Sequence, residues 1–343
     1  MIDKNNLPQD DCAIVVIDER PLFFWDIGIK EKNLRFIEQI DSDYFNYIAN
    51  VNFSILQNPD ENEVDKTNRQ HAAIAMQMAY SQALEVLFSF IFSAVQSPDF
   101  VIGWFLKYTN SNLESVVNKI RSHQRVRSRF STTIRSWKDI TNLIFIGLEE
   151  TQKQMFARSL DNYSTLLAQF AQDFADDSFN DEYNSLKHGL RVNMGGFHLA
   201  IGAEDVPGVP AKPENMRLMA HSEFGTTFYT SEKIEETSNF VIHQKSRNWN
   251  PENYYHALHL ISMTIKNVKV FLKRINGSLD ELNYLIPEQP DFHRKPWLIG
   301  SRMSFGMNSQ INTTAVPLLS KEEILSIYDS STVDLKELTV NDS

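Results

Sequence analysis

The sequence predicts a mainly α-helical protein with a small antiparallel β element inserted before its last long helix. Three observations carry this. First, apolar residues recur at three- and four-residue spacing in long stretches: Met76, Tyr80, Ala83, Leu87, Ile91 and Ala94; Phe156, Leu160, Tyr163, Leu167, Phe170 and Phe174; Leu258, Ile261, Ile265, Val268, Leu272 and Ile275. That spacing places each set on one face of a helix. Second, between Gly195 and His243 the helical period gives way to alternation and to runs rich in Thr, Phe and Tyr, which read as strands. Third, the chain has 343 residues, 42% hydrophobic and 22% charged, with 23 Phe, the composition of a globular protein with ample core.

Residues 1–62 form a mixed N-terminal segment. Cys12 to Ile17 is a short β-branched run that predicts a strand, Pro21 to Trp25 is aromatic-rich, and Leu34, Ile37, Ile40 and Tyr44 show helical spacing. Asn58-Pro59-Asp60-Glu61-Asn62 reads as a loop. Residues 63–192 are expected to form the helical bundle core. A strong helix runs from Val64 to Gln96, and Phe88, Phe90 and Phe92 make its second half apolar nearly all round, so it belongs at the centre. Its most apolar run, Ala83 to Val95, contains Glu85, Ser89 and Ser93 and falls short of the ~20 residues that span a bilayer. Ser97-Pro98-Asp99 ends it, and shorter helices are expected over 99–108 and 111–124. Residues 149–176 form the cleanest amphipathic helix, its stripe suited to a core or a dimer seam.

Asp176-Asp177-Ser178 breaks that helix, and another follows. Phe179, Tyr183, Leu186 and Leu190 fall on one face; Asp181, Asn184, Lys187 and His188 fall on the other. Gly189 after Lys187-His188 is a helix stop, with cations in the last turn. Residues 193–249 are the β insertion: Phe197–Ile201, Phe224–Thr230 and Phe240–His243 are expected to pair, with 202–216 as a loop. Residues 250–277 form the closing helix, with Asn250 as N-cap, Pro251 at the first position and Asn276-Gly277 as the stop. Residues 278–343 read as an appendage in which Ser320 and Glu323 make the capping box of one short helix.

The charge and cysteine content narrow the function. A net charge of −11 argues against a generic polyanion binder and confines any nucleic-acid site to a local patch. Cys12 is the only cysteine, which excludes an internal disulfide and a cysteine metal cage and fits a reducing compartment. The N-terminus has no signal-peptide pattern, so a cytoplasmic location is expected. No Walker-type loop and no Gly-x-Ser-x-Gly is present, so no cofactor is expected. His256 and His259 are three apart on a helix, but no carboxylate is spaced to join them, and no metal is expected there.

Two constellations remain. Residues 119–138 carry Lys119, Arg121, Arg125, Arg127, Arg129, Arg135 and Lys138 without one acidic residue. On a helix, Arg121, Arg125 and Arg129 would stack and repel. Either an anionic partner such as RNA relieves the repulsion, or Asp173, Asp176, Asp177, Asp181 and Glu182 neutralise it within the fold. The second constellation is Asn184, Lys187, His188 and Arg191. Asn184 and His188 are helix-surface neighbours, and Arg191 lies just past the stop, able to fold back beside them. Alternatively, Lys187 and His188 do no more than complement the helix dipole.

This order of features resembles the HEPN superfamily of prokaryotic helical proteins. The segment Tyr183-Asn184-Ser185-Leu186-Lys187-His188 matches the family's motif, with Asn184 at its polar position and His188 at its histidine; the family's arginine is replaced by Tyr183. The resemblance implies an up-and-down helical bundle over roughly 64–192 and 250–277, a homodimer, and metal-free RNA cleavage in active members. In that chemistry His188 serves as general acid or base, with Asn184 orienting and Lys187 and Arg191 stabilising phosphorane charge. Arg121, Arg125 and Arg129 extend the RNA surface. The expectation is therefore an RNA- or phosphate-ligand-binding, catalytically degenerate HEPN-like protein. The alternatives are a metal-free ribonuclease of a defence or toxin–antitoxin system, and a structural partner-binding helical protein.

Overall fold

The computed structural model describes residues 13–24, 27–58, 62–189, 191–204, 206, 208–234, 240–278, 283–289, 291–297, 304–310 and 319–330. Cys12, Trp25, Leu190, and Pro59, Asp60 and Glu61 of the expected loop lie outside these. The chain opens with a hairpin, β1 (Ala13–Ile17) and β2 (Arg20–Phe24), whose one-sided burial puts Ala13, Val15 and Ile17 on the core. Helices α1 (Ile27–Glu31), α2 (Asn33–Gln39) and α3 (Tyr44–Leu56) follow. The spacing of Leu34 to Tyr44 predicted one helix there; instead the chain breaks at Ile40–Asp43, and Tyr44 starts α3.

Helix α4 (Glu63–Gln96) is the axle of the molecule. Asn62 caps it, its side chain accepting from the Val64 and Asp65 amides at 2.9 and 3.1 Å. Asn62→Ala is expected to cost about 1 kcal/mol, measured by chemical denaturation. Phe88, Phe90 and Phe92 are all buried, as the all-round apolarity predicts. Phe88 meets Trp137 at 5.6 Å and Phe174 at 5.2 Å, and Phe90 meets Phe105 at 5.1 Å. Among the described helices α4 alone is long and apolar enough to cross a bilayer, and 78% of its most apolar window is buried inside the fold. It is the core helix of a layered bundle.

Around it pack α3, α5 (Val101–Lys107), α6 (Asn110–Arg121), α9 (Ala157–Phe174), α10 (Asp177–Lys187) and α11 (Pro251–Ile275). The amphipathic stretch 149–176 is two helices, α8 (Glu150–Met155) and α9, parted at Phe156; Tyr163, Leu167 and Phe170 of its stripe are core. Helix α7 (Trp137–Ile144), packed on α9, was not among the expected helices, although Ser136 and Asp139 form a capping box just before its apolar run.

The strands depart most from expectation. β4 (His198–Gly202) pairs with β5 (Met216–His221) as a separate ribbon, on which His198 and His221 face each other with Nδ1 atoms 2.7 Å apart. The larger sheet has the order β3 (Val192–Met194), β6 (Gly225–Lys233), β7 (Phe240–Trp249) and β8 (Ser304–Gln310), antiparallel throughout. The C-terminal stretch, expected as an appendage, thus supplies a strand, and its 3₁₀ turn at Phe292–Trp297 packs on α11. A last helix, α12 (Lys321–Ser330), is capped by Ser320 and Glu323 as predicted. The architecture is mainly helical with small antiparallel sheets.

Candidate functional site

Helix α10 joins the bundle to the sheet, and its two ends differ in chemistry. At its C-terminal end Lys187, His188 and Arg191 are exposed, and none takes part in an ion pair among the described residues. Gly189 has φ +105°, the glycine conformation predicted for the stop. The chain then folds back so that the Arg191 amide donates to the Ser185 carbonyl at 2.9 Å. The Lys187 ammonium lies 5.4 Å from the centre of the Tyr183 ring. Asn184 does not join this cluster: it lines a small groove with Glu85 and Glu114, whose carboxylates repel phosphate. Tyr183 is half-buried beside that groove, and burial, with Glu85 and Tyr108 nearby, pushes its phenol up to about 12.

The structure separates Arg121, Arg125 and Arg129 from this end. Helix α6 stops at Arg121, so the three do not share a helical face. The loop beyond is pinned to the C-terminus of α4, the Arg129 amide donating to Val95 at 2.9 Å and the Gln96 side chain to the Arg127 carbonyl at 3.3 Å. Helix α10 packs instead near Gln77, whose side chain reaches Glu182 at 3.4 Å. Eighteen residues of α4 separate Gln77 from Val95, a span of about 27 Å. The basic stretch finds its carboxylates in places the sequence did not suggest. Asp18 and Glu19, in the β1–β2 turn, hold Lys119; Glu19 holds Arg127 at 3.0 Å; Asp99 meets Arg129 at 3.7 Å and Asp161 meets Lys138 at 3.0 Å.

Of the acids expected as the neutralising set, Asp176, Asp181 and Glu182 face β7. Asp181 pairs with Lys245 at 2.6 Å, and Asp176 with Arg247 at 3.5 Å. Glu182 is fully buried and lies 3.6 Å from the Arg247 Nε. It accepts hydrogen bonds from the Thr226 hydroxyl, from the Trp249 indole at 3.0 Å and from Gln77. Burial pushes its carboxyl above the usual range, against the pull of Arg247 and these donors. Glu182 sits three residues after Phe179 and four before Leu186, so helical arithmetic alone put it on the buried face.

At the N-terminal end of α10 a cleft of about 460 Å³ opens between α9, α10, β7 and β8. Asp173, Asp176, Lys245 and Arg247 supply its charges, Gln169, Gln172 and Asn308 its amides, and Phe179, Tyr254 and Met307 its apolar surface. Tyr80, fully buried beneath, donates to Asp173 at 2.7 Å. Burial and the Asp173 carboxylate hold the Tyr80 phenol well above its ordinary value. Nothing in the helix periodicity announced this cleft, because two of its walls are strands from distant parts of the chain.

The two helical histidines do not converge on a common ligand position. Contrary to the expectation that no carboxylate is spaced to join them, Glu252 lies one helical turn before His256, 3.7 Å from it, while His259 lies 3.2 Å from the Asn50 amide oxygen. Burial lowers the affinity of His259 for a proton. Among the described residues no three of His, Cys, Asp and Glu gather as a metal site. The fold and its two charged regions define a mainly helical protein with a sheet-flanked cleft. No family model, no curated protein and no solved structure matches this chain.

Proposed function

We propose that the protein binds a phosphate-bearing polyanion, RNA by the HEPN resemblance, on the open surface at the C-terminal end of α10, without cutting it. One observation carries this reading. Lys187, His188 and Arg191 are exposed and take part in no ion pair among the described residues, while Asp176 at the helix N-cap, Asp181 and Glu182 are engaged by Lys245 and Arg247. An open surface suits a ligand that lies across it, and a cation beside an aromatic ring, as Lys187 is beside Tyr183, suits single-stranded nucleic acid. The reading without cleavage follows from the companions of His188. Tyr183 stands where the family has arginine and stays a neutral phenol, and Asn184 faces carboxylates. A HEPN-like homodimer would double the cationic surface and belongs to the same proposal; Arg121, Arg125 and Arg129 do not.

Labelled single-stranded RNA, titrated at several salt concentrations, tests it. Affinity should fall steeply with salt, and the double variant Lys187→Ala/Arg191→Ala should lower the slope of log K against log salt by roughly 1 to 2. A slope unchanged by the double variant would sink the proposal. RNA cut in EDTA by the parent and spared by His188→Ala would replace binding with the ribonuclease reading.

A further inference from the structure

The cleft at the other end of α10 has a chemistry opposite to that of the exposed cations, and its polar atoms are unevenly satisfied. We infer that it binds a small organic cation, an amine or guanidinium compound on a short methylene chain. This rests on the cleft alone and is independent of the RNA reading.

The charge balance comes first. Lys245 and Arg247, the cations of the cleft, are already held by Asp181, Glu182 and Asp176. The cleft itself is lined by two carboxylates, Asp173 and Asp176, and by these two cations, whose partners Asp181 and Glu182 lie outside the lining, so an anionic ligand would have to displace ion pairs that a cationic one leaves intact. The second point is the set of polar atoms left over. Asp176 uses a single oxygen, Oδ1, both to cap the Phe179 amide at 2.7 Å and to meet Arg247. Its Oδ2 has no hydrogen bond among the described residues. The Gln169 Oε1 and the Tyr254 hydroxyl, buried polar atoms of two residues that line the cleft, also lack partners among them. Tyr254 is 0% exposed, and its hydroxyl lies in the field of Glu182, Arg247 and Asp173. Two of these atoms accept only and the third can accept. A ligand matching them is rich in donors and poor in acceptors, as an ammonium or guanidinium group is. Phe179 and Met307 offer the apolar surface along which methylenes lie. The volume, about 460 Å³, falls in the range of small-molecule sites.

The experiment titrates the full chain with spermidine and with agmatine at constant ionic strength, followed by calorimetry, with tetramethylammonium and adenosine monophosphate as controls. Saturable one-to-one binding of spermidine or agmatine is expected, with neither control competing, because one lacks N–H donors and the other carries the wrong charge. Asp176→Asn keeps an N-capping residue while removing the carboxylate, and it should weaken binding roughly tenfold or more. Gln172→Trp, at an exposed position of the lining, should block the cleft without disturbing the core. The inference is overturned if neither amine binds at millimolar concentration, if the nucleotide binds in their place, or if both variants bind as the parent does.

Discussion

Arg247→Ala is expected to destabilise the protein by about 3–5 kcal/mol, because it leaves Glu182 as a buried charge without its cation. Glu182 is 0% exposed and Arg247 7%, so little solvent screening offsets the loss. The pH dependence adds a signature. The Glu182 carboxyl is held above the usual range in the folded state by burial, and losing Arg247 removes the strongest opposing influence. A carboxyl raised in this way binds a proton more tightly when folded, so its penalty is largest at neutral pH and shrinks as the solution is made mildly acidic. Denaturant titrations of parent and variant at neutral and mildly acid pH should show the gap narrowing. Adding Glu182→Gln should recover much of the loss, since an amide still accepts from Thr226 and Trp249. A deficit that does not change with pH and is not rescued would show that the carboxylate is not what the guanidinium balances.

Gly225→Ala is expected to cost about 3 kcal/mol, mainly through the backbone atoms a Cβ would meet. A Cβ at Gly225 would fall 2.2 Å from the Arg247 carbonyl oxygen on the paired strand and 3.0 Å from the Gly196 Cα. Neither atom belongs to a flexible side chain, so the strand itself has to move. The shift falls where β7 carries Arg247, and where Asn248 clamps Phe197 with two hydrogen bonds of 2.7 Å. Amide exchange should therefore rise along β6 and β7 before it rises in α4. Uniform protection in the variant would contradict this account of the two glycines.

Much of the helical frame was legible because helices are local. The caps at Asn62 and Asn250, the stops at Gly189 and Gly277, and the stripes of α4, α9 and α11 lie within windows of a few residues. The candidate site was legible only in part. The exposure of Lys187 and His188 and the fold-back of Arg191 followed from helix spacing and a glycine. Glu182, one of the acids expected to neutralise residues 119–138, instead sits on the buried face that Phe179 and Leu186 bracket and pairs with Arg247.

The sequence by itself determined the long helices α4, α9 and α11, the central place of α4, and the caps and stops at their ends, since those depend on side chains three or four residues apart; the breaks at Ile40–Asp43 and Phe156 and the short helix α7 did not show in the periodicity. Only the tertiary structure decided which charge meets which. Asp18 is 101 residues from Lys119, Glu182 is 65 from Arg247, and β8 reaches β7 from across α11. Coulomb attraction and strand pairing act through space, so no spacing along the chain encodes them, and the cleft they build exists only once the sheet has closed against α10.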